Sequence, residues 1–195
     1  PSPTVEAGWL KPGGFGSAVD FDSYWQRAAR AEMDRISTDD HAMGLDADYI
    51  AAHTGLAEIA MLKGDGATAR THYGHAIQKD AVPQNRLGYR QSIAVTYVNE
   101  GNLKAALAEF AAVAAEAESA SFTAVAAAAH RNLAVVEAAL GDKGTPHGHL
   151  AKAAELGGDT PVQQAFAAVT HALLGHLDAA RGPASKYAEG AADPN

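Results

Sequence analysis

The chain contains no cysteine, few aromatic residues and no run of basic residues. Without cysteine it can form no disulfide framework, no thiolate zinc site and no cysteine nucleophile. Its net charge of −8 argues against nucleic-acid binding, because proteins of that class line the phosphate backbone with lysine and arginine. No apolar stretch reaches the roughly 20 residues that a membrane span needs, since the nearest, 121–140, is interrupted by polar and charged side chains.

What the chain has instead is alanine. Hydrophobic residues make up 47% of the sequence but aromatic residues only 7%, so small side chains supply most of the apolar count. Alanine favours helix and fills little volume, which predicts closely packed helices. Sustained strand alternation with hairpin signals is missing. At 195 residues, the chain is long enough for one domain or one repeat array.

Glycine-centred turns recur along the chain at Gly64, Gly101 and Gly175, with a weaker copy at Gly141. In chain order, Gly64, Gly101, Gly141 and Gly175 are separated by 37, 40 and 34 residues. A glycine that ends a helix can adopt the left-handed conformation that closes it. Small residues seven before and five after each glycine would let two antiparallel helices approach closely. Those seven before are Ala57, Ala94, Ala134 and Ala168, and those five after are Ala69, Ala106 and Ala180.

From about Ile50 to Pro194 the chain resembles the tetratricopeptide (TPR) repeat family, whose helix–turn–helix unit has a period of about 34 residues. The resemblance implies an all-α, right-handed α-solenoid with one concave and one convex face. The aligned repeats begin at Ile50, Leu87, Ala127 and Pro161.

The sequence departs from the family pattern at two kinds of position. The aromatic residue of the fourth repeat position is replaced in every copy, by His53, Arg90, His130 and Gln164. Pro146 stands where a small helix residue is expected, so we expect the second helix of the third repeat to begin late.

Four segments are predicted. Residues 1–17 form an extended N-terminal arm, residues 18–46 hold a capping helix and a linker, residues 47–190 are the solenoid, and residues 191–195 are a flexible tail. The arm carries Trp9 and Phe15, whose large apolar side chains are not expected in a tail that stays exposed to solvent. Two interpretations stay open: the arm folds back on the solenoid, or it docks onto a partner.

The resemblance implies that function resides on the concave face, which the first helix of each repeat lines. The residues expected there are chiefly apolar, with amides and one arginine among them. Together with Trp9 and Phe15 of the arm, the candidate partner-binding residues are Gln91, Val95, Val98, Asn99, Arg131, Asn132, Val135, Phe166 and Val169. A second interpretation is that some of these side chains pack on the capping helix or the arm. The chaperone-clamp subclass is not expected, because only Arg131 and Asn132 resemble its carboxylate-binding set.

Nine histidines are the residues that suggest chemistry. At repeat positions that usually hold packing aromatics stand His53, His130 and His171, which we interpret as packing residues. The pairs His72 with His75 and His147 with His149 could each bind a metal ion, as neutral imidazoles do. Each pair supplies two ligands where catalytic zinc commonly takes three, so adventitious surface histidines are favoured and no metal or cofactor is assigned.

The function predicted is protein–protein interaction, as an adaptor or accessory subunit of a larger assembly. No nucleophile elbow or phosphate loop occurs, so catalysis is not expected. Two alternatives are a histidine-dependent metal or small-molecule binder and a hydrolase with its site at the arm–solenoid junction. Because the first residue is Pro1, removal of a methionine or of a signal peptide is expected. We favour an exported, periplasmic protein over a cytoplasmic one.

Overall fold

The computed structural model describes residues 50–192, and this part of the chain is all-α. Its helices are α1 (Ile50–Leu62), α2 (Gly66–Lys79), α3 (Pro83–Asn99), α4 (Leu103–Ser119), α5 (Thr123–Ala139), α6 (Pro146–Gly157), α7 (Pro161–Leu173) and α8 (Leu177–Ala192). Among these eight, no helix combines the length and apolarity that a bilayer crossing requires. The predicted arm (1–17), the predicted capping helix and linker (18–46) and most of the predicted tail lie outside the described residues.

The chain divides into two compact units between Lys79 and Asp80. In the first unit, α1 and α2 pack as a pair. In the second, α3 packs with α4, α5 with α6 and α7 with α8, and each pair is antiparallel. The second unit has a further regularity, because α3 contacts α5 and α5 contacts α7. For residues 50–192, the prediction of an all-α protein built from consecutive helix pairs is therefore confirmed.

The four turn glycines adopt the predicted left-handed conformation, with φ of 78° at Gly64, 75° at Gly101, 87° at Gly141 and 79° at Gly175. Each turn is closed in the same way. The backbone N–H that follows the glycine donates to the carbonyl five residues earlier, as from Asn102 to Tyr97 at 2.8 Å. This pattern is the Schellman motif, which satisfies carbonyls that a helix end leaves free. One turn chemistry thus joins the two helices of every pair.

A fifth turn of the same kind was not predicted, because it lacks glycine. Ser121 has φ of 59°, and the backbone N–H of Phe122 donates to the Ala117 carbonyl at 2.8 Å. The left-handed conformation costs an L-residue about 1–2 kcal/mol. Ser121 adopts it where α4 ends and the next pair begins, so the hydrogen bonds of the turn and the packing of α5 offset that cost.

The small residues beside the turns lie where the helices approach most closely. Ala57, Ala69, Ala94 and Ala106 are all fully buried. Beyond them, larger side chains fill the core of the second unit, led by Phe110 and Val113 at 0% exposure. The predicted close packing of small residues beside the turns is thus supported in the first two pairs, whereas Ala168 and Ala180 of the fourth pair are only half-buried.

The third and fourth pairs differ from the first two. The second helix of the third pair begins at Pro146, five residues after Gly141, whereas the others begin two residues after their glycine. The predicted late start is confirmed, since proline suits the first position of a helix. In the fourth pair, Tyr187 of α8 is exposed.

Candidate functional site

The first helices of the second unit, α3, α5 and α7, contact one another in succession. We call this group the first-helix row. It carries all the candidate partner-binding residues that the structure describes: Gln91, Val95, Val98 and Asn99 on α3, Arg131, Asn132 and Val135 on α5, and Phe166 and Val169 on α7. Trp9 and Phe15 lie outside the described residues.

The candidates on α3 are largely engaged in packing. Val95 and Val98 are partly buried against the core of the second unit. Gln91 donates from Nε2 to the carbonyl of Val125, 34 residues later, at 3.2 Å. This bond ties one helix pair to the next, so Gln91 helps to set the spacing of the row. Asn99, at the end of the helix, is exposed.

The candidates on α5 and α7 meet through Arg131 and Phe166. The guanidinium carbon of Arg131 lies 5.8 Å from the centroid of the Phe166 ring, within the range of a cation–π contact. Gly157, where α6 ends, leaves room for this arginine: a Cβ there would lie 3.5 Å from Arg131 Nη1 and 3.0 Å from the Ala127 Cβ. Burial lowers the pKa of Arg131, although a guanidinium stays charged at neutral pH. The pair supplies one fixed positive charge beside an aromatic ring.

An exposed apolar stripe runs along α7. At about 100° per residue, Val162, Val169 and Leu173 share one side of the helix, with Phe166 beside them. Their exposed fractions are 50% for Val162 and 48% for both Val169 and Leu173. Val135 lies one helical turn after Arg131, on the same side of α5. The exposed stripe therefore lies beside Phe166, and Arg131 is placed over the ring of Phe166.

The polar residues at the fourth repeat position form a repeated contact between paired helices. His53 meets His72, Arg90 meets Glu109 and His130 meets His149, and in each case the partner lies 19 residues later. The nitrogen-to-acceptor distances are 3.0, 2.6 and 2.8 Å. The register inferred from the turn glycines therefore holds in three helix pairs. In the fourth pair Gln164 bonds instead to Asp159, which precedes its own helix.

His130 is the buried centre of a polar network. Its Nε2 donates to Glu118 at 2.5 Å, and its Nδ1 lies 2.8 Å from Nδ1 of His149. His149 in turn lies 3.3 Å from Glu137. The hydrogen bond from His130 holds the pKa of Glu118 below its usual range. Both ring nitrogens of His130 have partners on neighbouring helices, which is the arrangement expected of a packing histidine.

The first unit contains a second histidine cluster. His75 stacks on His53, with 4.8 Å between the ring centroids. His72 contacts the same His53 ring through Nδ1. Burial, followed by the neighbouring rings, lowers the pKa of His72. The predicted metal pair of His72 and His75 is thus drawn together around His53.

The other predicted metal pair, His147 and His149, is divided between two histidine clusters. His149 joins the His130 network, whereas His147 stacks with His176 at 5.9 Å and meets His171 at 5.2 Å between ring centroids. One ligand nitrogen from each of these three residues lies within 4.8 Å of the other two. We call His147, His171 and His176 the histidine triad. Within the described part of the chain it is the only such group of three potential ligands.

The surroundings of His171 differ from those of the other two members. His147 and His176 are exposed, but His171 is half-buried, and its Nδ1 is buried with no hydrogen-bond partner among residues 50–192. Burial is the main cause that lowers the pKa of His171, and His147 and His176 lower it further. Both effects favour the neutral ring, which keeps a lone pair available on one nitrogen.

Sequence reasoning placed His171 among the packing residues and did not join it to His147. Part of the signal was present, because His171 and His176 occupy the two ends of the Schellman turn around Gly175. The approach of His147 depends on how α6 packs against α7, which residue spacing does not reveal. The Arg131–Phe166 contact was missed for the same reason, although both residues had been assigned to one surface.

Comparison with known proteins adds no family to these observations. No protein-family model matches the chain, and no match is found among curated proteins. The TPR resemblance rests on the repeated turns and the helix pairing described above.

Proposed function

We propose that this protein is a TPR-like binding module that holds an apolar segment of another polypeptide along the first-helix row, chiefly on α5 and α7. One observation carries the proposal: the valine and leucine stripe of α7 stands about half-exposed beside Phe166, whose ring is contacted by Arg131. Exposed apolar surface of this kind is typical of interaction sites rather than of an inert surface. We propose binding without catalysis, in an adaptor or accessory subunit.

The partner's chemistry follows from the composition of this surface. Val135, Val169 and Leu173 favour aliphatic or aromatic side chains, which would gain roughly 25 cal/mol per Å² of apolar area before entropy costs. Arg131 is half-buried over Phe166 and presents a positive charge beside the stripe. It suits a backbone carbonyl or a single carboxylate in the bound segment. The proposed ligand is therefore a mainly apolar peptide segment with one acceptor group.

The test is reconstitution with a purified partner, identified by co-purification of the untagged protein from its native cells. We expect Val135→Glu combined with Phe166→Glu to abolish binding, because both substitutions place a carboxylate in the apolar surface. The matched control is Ala112→Glu combined with Ala115→Glu, which adds the same charge to exposed positions of α4. Circular dichroism establishes that both variants keep their helices.

Two further results distinguish this mode of binding from others. Arg131→Ala should weaken binding by about 1–3 kcal/mol, the range for one lost hydrogen bond to a charged group. Moderate salt should change the affinity little, because screening acts on exposed charges. The proposal fails if the α5–α7 double variant still binds, or if moderate salt alone dissociates the complex.

The N-terminal arm is a second proposed contact for the same partner. Its support is the sequence alone, where Trp9 and Phe15 provide large apolar side chains of the kind that dominate binding interfaces. Deletion of residues 1–17 should weaken partner binding while leaving helix content nearly unchanged. If the deletion instead lowers the melting temperature sharply and the protein stays monomeric, the arm packs on its own chain.

A further inference from the structure

The histidine triad is assembled by two different parts of the second unit. His147 is the second residue of α6, while His171 and His176 lie on either side of the turn that joins α7 to α8. The α6–α7 contact is fixed by Gln163, whose buried side chain donates from Nε2 to the Leu150 carbonyl at 2.9 Å. The turn is fixed by the N–H of His176, which donates to the His171 carbonyl at 2.9 Å. The three rings therefore meet on a defined framework.

The fourth turn also departs from the others at the residue after its glycine. In the first two turns that residue is Asp65 or Asn102, and its side chain accepts a hydrogen bond from a backbone N–H in the first turn of the next helix. In the third turn it is Asp142, which accepts from the backbone N–H of Gly144 in the loop before α6. Such capping residues stabilise helices. In the fourth turn the position is occupied by His176, whose ring lies against His147. A capping side chain has been replaced by a potential metal ligand.

The chemistry of the donors fits a transition metal. Imidazole nitrogen is a ligand for zinc, copper and nickel, and three histidines with one open position are a common set for zinc. Two nitrogens on a tetrahedral zinc ion lie roughly 3.3 Å apart, given Zn–N bonds of about 2.0–2.1 Å. The triad nitrogens lie within 4.8 Å of one another. His147 and His176 are exposed, so their side chains can rotate to bring the nitrogens from within 4.8 Å to the separation that zinc requires, around the more fixed His171.

We propose that His147, His171 and His176 form a binding site for one divalent transition metal ion of the zinc, copper and nickel class. The ion binds an imidazole nitrogen from each residue, and its fourth position faces solvent, where a water molecule completes the shell. Because the ligands come from α6 and from the α7–α8 turn, the bound ion links the third helix pair to the fourth. Metal binding therefore stabilises this end of the described helices.

The first measurement uses the full-length protein without a histidine tag, stripped of metal and titrated with zinc against a chromophoric chelator. We expect one ion bound per chain. His147→Gln and His176→Gln should each lower the affinity at least about tenfold, since even partners outside the first coordination shell change metal affinity about 10–100-fold. The control is His75→Gln, an exposed histidine of another cluster, which should leave the affinity unchanged.

A second measurement reads the coordination directly. Cobalt bound to the wild-type protein should give the intense visible absorption of a four-coordinate ion, and this absorption should be lost in the His147→Gln, His171→Gln, His176→Gln triple variant. Zinc should raise the melting temperature of the wild type and not that of the triple variant. Circular dichroism of the metal-free proteins separates loss of ligands from loss of fold.

The proposal is overturned by any of three results: fewer than one ion per chain, an affinity of the triple variant equal to that of the wild type, or equal losses in His75→Gln and the triad variants. The second and third results would mean an adventitious ion only. Each outcome is independent of whether the first-helix row binds a partner.

Discussion

Arg90 and Glu109 face each other across α3 and α4, with Arg90 Nε 2.6 Å from Glu109 Oε1, at the register that His130 and His149 occupy in the following pair. The same arginine lies 2.7 Å from Glu116 through Nη1. Arg90 thus makes an ion pair between paired helices at the position where His53 and His130 make histidine–histidine contacts. In each of these pairs, a polar contact between the two helices now fixes their register.

The first prediction is the strength of this ion pair. A double-mutant cycle on Arg90→Ala and Glu109→Ala should give a coupling free energy of about 0.5–1 kcal/mol, because the pair is only partly exposed and is hydrogen-bonded. The coupling should shrink as salt is added. The control cycle on Lys152 and Glu155, an exposed pair 3.5 Å apart, should give nearly zero. Equal coupling free energies in the two cycles would contradict the conclusion that Arg90 helps to fix the register of α3 and α4.

The second prediction concerns the turn glycines. Gly101→Ala should lower the free energy of unfolding by about 1–2 kcal/mol, because φ of 75° is costly for any residue with a Cβ. Gly88→Ala is the matched control, since Gly88 lies inside α3 and a Cβ there would meet nothing within 4 Å. That change should stabilise the protein by about 0.5–1 kcal/mol. Urea denaturation measures both. Stabilisation by Gly101→Ala would contradict the assigned turn.

The third prediction concerns the core. Phe110 is fully buried between α4 and its neighbours, so Phe110→Ala should cost about 3–5 kcal/mol. In the first unit, Tyr73 occupies the equivalent position and is also buried, and Tyr73→Ala should have a comparable effect. The exposed Tyr187 of α8 serves as the control, and its replacement by alanine should shift the denaturation midpoint far less. An unchanged midpoint for Phe110→Ala would contradict the repeat alignment.

The fourth prediction is an alkaline titration at Tyr89. Its hydroxyl donates to Asp80 at 2.9 Å, and burial together with this hydrogen bond raises the pKa of Tyr89 to about 12. A phenol whose pKa is raised by folding stabilises the folded state fully below its ordinary value near 10. That contribution is lost as the pH rises from about 10 to about 12.

The measurement is the absorbance titration of ionising tyrosine, with the wild type compared to Tyr89→Phe. The difference should titrate near 12, and Asp80→Asn should move it towards 10 without reaching it, because burial is the larger cause of the shift. A difference curve that titrates near 10 in the wild type would show that the hydroxyl is neither buried nor bonded as described.

The parts of the fold that could be predicted from sequence are those set by local chemistry. A left-handed glycine, a small residue beside it and a proline at a helix start each leave a fixed signature, which is why Gly101, Ala94 and Pro146 were assigned correctly. Ser121 was missed because its turn has the conformation of a glycine turn without the glycine.

The candidate site was less accessible to sequence reasoning, because it depends on which side chains meet across helices. His147 and His149 are two residues apart, yet they join different clusters on the two sides of α6. The contact between Arg131 and Phe166 joins residues 35 positions apart, one repeat along the chain. Repeat alignment placed both residues on one surface but could not tell that the arginine stacks on the ring.

The measurement that tests the central claim most directly is photo-crosslinking from defined positions of the second unit. A benzophenone amino acid is placed at Val135 or Val169 in the first-helix row, or at the exposed Ala112 of α4, and the protein is irradiated in its native extract. The account predicts that one partner is crosslinked from Val135 and from Val169, and that Ala112 gives no adduct. A partner captured from Ala112 and from neither valine would place the binding surface on the second helices and contradict the account.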